Sequence, residues 1–230
     1  MWAVDQPCDR PRRALLAGTP WVALGLLTAS VGLALAAVRL GYLSEATLGS
    51  VALAAMQTAL ALTALGWAAV DDPACPPRAL GLTIAPGRRP LLAAVAIGGG
   101  LALHLLVTAS RTLGYPVALD QPARVLSALA YDVAINVPCA ELFFRGALFT
   151  RAQRRWSCGA ALLLSTITCM LRYLVDPALP KIPEVMLGAV FYIGLLSAAN
   201  GWLVWWSGSL VPPYIASLLF FTVYRTLRVE

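Results

Sequence analysis

Stretches of about twenty residues with almost no charge recur along this chain, separated by short polar joints. That pattern constrains the fold more than any other feature, because about 20 apolar residues let a helix cross the roughly 30 Å hydrocarbon core of a bilayer. The stretches run over about 14–38, 46–70, 91–110, 124–150, 157–175, 184–206 and 208–227. They predict an all-α integral membrane protein, a polytopic bundle of about seven transmembrane helices. The composition agrees. The chain is 60% hydrophobic and only 12% charged, with a mean hydropathy of +0.76. Soluble domains carry roughly a quarter charged residues, so this chain could not cover its own surface in water.

The joints carry further information. The start, MWAVDQPCDRPRR, is polar and basic, and the apolar stretch after it is too long for a signal-peptide core. It reads as a retained first helix. Arginines gather at the N-terminus (Arg10, Arg12, Arg13), after the second span (Arg78, Arg88, Arg89) and after the fourth (Arg151, Arg154, Arg155). The opposite side carries the sparser Arg39, Arg111, Arg124, Lys181, Arg225 and Arg228. The positive-inside bias places the first set, and the N-terminus, in the cytoplasm. Trp202, Trp205 and Trp206 at one end of the sixth span read as interface anchors.

A net charge of +6 does not point to nucleic acid, because the arginines form no continuous basic stretch with interleaved aromatics. The five cysteines (Cys8, Cys75, Cys139, Cys158, Cys169) include no CxxC and make a poor disulfide framework. Gly98-Gly99-Gly100 marks a kink or a close helix contact. Pro212-Pro213 falls in the first turns of the seventh span, where proline costs a helix least. Without an internal repeat or paired broken helices, a transporter is the weaker class.

Within the fourth span, Glu141 and Arg145 are spaced i and i+4 with the acid first, the better orientation for pairing. An isolated charge near the membrane centre costs roughly 3 kcal/mol on insertion scales. Facing the bundle interior together, the two reduce each other's penalty. Intramembrane charge is a functional hypothesis by default, and a fold-retaining ion pair is the structural alternative. Asp132 lies nine residues earlier, about half a turn off that helix face, at the membrane edge or serving a different arginine. Cys139 has no base on its face to make it a nucleophile. Ser217 and Asn200 read as hydrogen-bonding residues between helices, and so does His104, the single histidine.

The stretch A-E-L-F-F-R-G at 140–146 resembles the E-E-L-x-F-R-G signature of the CPBP family, the CAAX-type intramembrane proteases that include many bacterial Abi proteins. G-S-L-V-P-P-Y-I-A-S at 208–217 is similar to the segment entering that family's last conserved helix, and L-G-L-T-I-A-P-G-R-R-P-L-L fits the loop before its core. The resemblance covers about 80–225. It divides the chain into a two-helix segment, 1–75, without family signal, and a CPBP-like core, 76–230.

The resemblance implies a site with two adjacent glutamates, the first acting as general base on a water, two histidines, and an asparagine that steadies the oxyanion. At the first glutamate this chain has Ala140, and only Glu141 and Arg145 of that motif remain. S-T-I-T-C-M-L-R puts Arg172 at one histidine; the last-helix segment puts Ser217 at the other and Phe221 at the asparagine. A catalytic zinc wants about three protein ligands, usually with several histidines, so no metal site or other cofactor is expected. A guanidinium at 172 cannot serve as a base; it could bond Glu141 instead. The expected function is therefore a catalytically inactive relative, acting as a binding, scaffolding or accessory subunit among other membrane helices, or holding a lipid or pigment. The alternative is an active peptidase with a rearranged site built on Glu141 and His104.

Overall fold

A computed structural model describes residues 45–117, 122–174, 179 and 182–227 of the chain. The first expected span, 14–38, and the N-terminal arginines lie outside the described residues. Two units are distinguished, Met1–Ala59 and Leu60–Glu230. Of the first, only the opening turns of a helix are described.

The described chain is helical, without a β-strand. Helix α1 is Glu45–Asp71, and a single turn, α2, is Pro76–Ala79. Helix α3 is Arg88–Thr112 and α4 is Pro122–Arg155. Then come α5, Cys158–Leu174, α6, Pro183–Ser207, and α7, Val211–Thr226. Helices α3, α4 and α6 are long and apolar enough to cross a membrane, and α5 is a shorter apolar helix. The sequence places these elements within a few residues of their observed ends. The reason is physical: the apolar stretches stop where arginine, proline or glycine begins.

Of the glycine run in α3, Gly98 makes a close helix contact. Helix α7 packs on α3, and a Cβ at Gly98 would stand 2.5 Å from the Ala216 carbonyl oxygen and 2.7 Å from its Cα. Without a hydrophobic drive between helices in lipid, such small-residue contacts let backbones approach and gain van der Waals attraction. Both neighbours are backbone atoms and cannot swing aside. Gly98→Val is therefore expected to separate α3 from α7 and cost about 1–3 kcal/mol, read as a lowered unfolding temperature of the purified protein. Gly99→Ala, where nothing lies within 4 Å, is the matched control and should change little.

The turn between α6 and α7 is built from Gly208, whose φ of 67 caps α6 in the left-handed region. Leu210 N–H donates to the Gly81 carbonyl at 3.3 Å, which ties the end of α2 to this turn. Pro212 and Pro213 occupy the first turn of α7, as the sequence predicts. At the far end of α4, Arg151 forks onto Asp71 at 2.8 and 3.0 Å and stacks over the Trp67 ring. The last turns of α1 and α4 therefore meet, as they must if the loops after the second and fourth spans share a side. Trp202, Trp205 and Trp206 all present surface at the end of α6.

Helix α4 is not regular. It widens into π-helical turns at Asp132–Asn136 and Leu142–Phe149. Such turns are frequent at functional sites, and the second contains Arg145.

Candidate functional site

Four helices converge on Glu141. Helix α4 supplies Glu141 and Arg145, α6 supplies Ser197 and Asn200 one turn apart, α7 supplies Ser217 and Phe221, and α5 supplies Cys169 and Tyr173. These side chains are buried among largely apolar helices, so each polar group must find its partner inside the bundle.

The partners are specific. Asn200 Nδ2 donates to Glu141 Oε1 at 2.8 Å, and Ser217 Oγ donates to the same oxygen at 2.8 Å. Asn200 Nδ2 also donates to Ser217 Oγ at 2.7 Å, which closes a triangle. Arg145 stands with Nε 3.4 Å from Glu141 Oε2. Its Nη2 donates to Ser197 Oγ at 2.7 Å and its Nη1 to Cys169 Sγ at 3.3 Å. Glu141 is 5% exposed, Arg145 2% and Asn200 0%. Burial that deep is tolerable for a charge only when it is paired and hydrogen-bonded.

A second buried chain runs beside the first. Arg172 Nη2 donates to Asn136 Oδ1 at 3.0 Å, and Asn136 Nδ2 donates to Asp132 Oδ1 at 2.9 Å. Arg225 then forks onto Asp132, Nε to Oδ2 at 2.7 Å and Nη2 to Oδ1 at 2.9 Å. Arg172 thus bonds Asn136, not Glu141, and its guanidinium stacks over Tyr173 at 4.1 Å. The expectation that it neutralises Glu141 is corrected: Arg145 fills that role. Asp132 does serve a different arginine, Arg225, and it is fully buried.

The sequence-derived positions separate into those that meet and those that do not. Ala140, Glu141, Arg145, Ser217 and Phe221 line one small cavity, with Asn200. Ser217 and Asn200 make the interhelical hydrogen bonds expected of them. Phe221 stacks on Tyr173 at 5.6 Å between centroids. Half-buried Cys139 is not in the lining. Neither is His104, whose Nδ1 lies 2.7 Å from the Tyr192 hydroxyl. Sequence reading missed Ser197, Cys169, Asn136 and the role of Arg225. Ser197 had a signal: it stands one helical turn before Asn200 in an otherwise apolar span. Cys169 had none beyond being a small residue.

The polar groups around the cavity are one carboxylate, one amide, the hydroxyls of Ser197, Ser217 and Tyr173 and the Cys169 thiol, with a guanidinium among them. A catalytic divalent cation wants about three imidazole, thiolate or carboxylate ligands, and this set does not fit one. Among the described residues no three His, Cys, Asp or Glu side chains come together.

Residues 122–222 match the family model described as Type II CAAX prenyl endopeptidase Rce1-like. The match lies inside the 80–225 marked by the motifs and takes in α4, α5, α6 and most of α7, with every residue of the two polar chains except Arg225. No curated protein and no solved structure matches the chain.

Proposed function

From a multi-pass membrane protein whose residues 122–222 are Rce1-like, we propose a role as a binding, scaffolding or accessory subunit in which the peptidase chemistry has been given up. The observation that supports this most is the occupation of Glu141. Two hydrogen bonds reach Oε1, and Arg145 stands against Oε2. The neighbour that would be the general base is the buried methyl of Ala140. No imidazole adjoins it to shuttle a proton, and Arg172 and Ser217, at the histidine positions, are engaged in the two polar chains. The cavity needs no metal or other cofactor.

The partner we propose is another membrane helix, a lipid or a pigment, met within the bilayer and not in this cavity. The setting is a bacterial-type inner membrane, with the arginine-bearing loops after the second and fourth spans in the cytoplasm. The alternative, a peptidase resting on Glu141 and His104, needs the two to share a water. The Tyr192 contact of His104 offers that reading no support.

The deciding experiment is a cleavage assay with the full chain in proteoliposomes, using prenylated C-terminal peptides and single transmembrane helices as substrates. The expected result is no turnover above empty vesicles. Turnover by the unaltered chain that vanishes in Glu141→Gln, at equal folded amount, would overturn the proposal. Gentle purification from the native membrane then names the partner.

A further inference from the structure

Three deeply buried atoms at the cavity have no hydrogen-bond partner among the protein groups: Glu141 Oε2, Arg145 Nε and Asn200 Oδ1. Every other polar atom of these three side chains is engaged. Glu141 Oε1 takes two donors, Arg145 Nη1 and Nη2 give to Cys169 and Ser197, and Asn200 Nδ2 gives to Glu141 and Ser217. The remainder is two acceptors and one donor. All three residues line the same cavity, which leaves about 10 Å³ for the centre of a water molecule. That is the room a single water needs.

We propose that this cavity is a binding site for one ordered water. It donates one proton to Glu141 Oε2 and the other to Asn200 Oδ1, and accepts from Arg145 Nε. The chemistry excludes the other small occupants. A cation would face the guanidinium N–H, and a halide would face two acceptor oxygens. Only a neutral group with two protons and a lone pair matches all three atoms, and the volume admits nothing larger than water. The water therefore completes the polar knot that joins α4 to α6. The site rests on hydrogen-bond valence and not on the absence of catalysis, so it stands or falls separately from the cleavage assay.

The test is a structure of the full chain, grown from a lipidic mesophase at a resolution that shows ordered water. The expected result is one spherical peak within about 2.6–3.2 Å of all three atoms, without anomalous signal, and lost in Ala140→Leu, which fills the cavity from its apolar wall. An empty cavity in the unaltered chain would overturn the proposal even if Ala140→Leu failed to fold. So would a peak with the anomalous signal of a metal, or one that persists unchanged in Ala140→Leu.

Discussion

Replacing Arg145 by methionine is expected to destabilise the protein by about 3–5 kcal/mol, the penalty for stranding a buried charge. Methionine fills most of the volume but leaves the Glu141 carboxylate, 5% exposed, without its cation. It also strips Ser197 Oγ and Cys169 Sγ of their donor. Glu141→Gln should cost less, because glutamine still offers an oxygen to Asn200 and Ser217 while Arg145 keeps Ser197 and Cys169. The double variant, Glu141→Gln with Arg145→Met, should recover part of the Arg145→Met loss. Thermal unfolding in nanodiscs, run as a double-mutant cycle, measures this coupling. If Arg145→Met proves the milder single change, the pair is not the clamp described.

The second large effect lies at Asp132, and it is asymmetric. Arg225→Met removes both prongs of the fork and leaves a carboxylate with no exposed surface, held among the described residues by Asn136. The expected cost is again about 3–5 kcal/mol. Asp132→Asn removes the charge from the other side. The Arg225 side chain is 27% exposed and can turn toward water or headgroups, so the cost should fall to about 1–3 kcal/mol. Unfolding of the two variants side by side reads the difference. Equal losses would mean that Asp132 is better solvated than its burial indicates.

The helices were legible in the sequence because length and apolarity decide whether a segment can span. Those properties belong to the segment alone. The meeting of Glu141 with Arg145 was legible for the same reason, being local at i and i+4. The partners of Arg172 were not legible. It sits in α5 and its bond to Asn136 in α4 depends on how the two helices are rotated against each other, which apolar composition leaves undetermined. The close contact at Gly98 was readable as an absence of side chain, though its partner, Ala216, was not. Ser217 and Asn200 were read correctly as interhelical, while their common target, Glu141 Oε1, required the fold. The second chain was legible only in part: Asp132 was expected to serve a different arginine, but that the arginine is Arg225, in α7, depends on the fold.

Helix α4 does not wind regularly, and this lets two ends of one rod be aimed separately. A regular helix advances by roughly 100° per residue, so any residue added to or taken from it swings all that follows. The wide turn at Leu142–Phe149 holds slack of that kind between Glu141 and Arg151. Were it tightened by one residue, Glu141 could keep its place beside Asn200 while Arg151 swung away from Asp71. The turn thus behaves as a phase adjuster, matching the bearing of a buried acid to that of a surface arginine about ten residues further on.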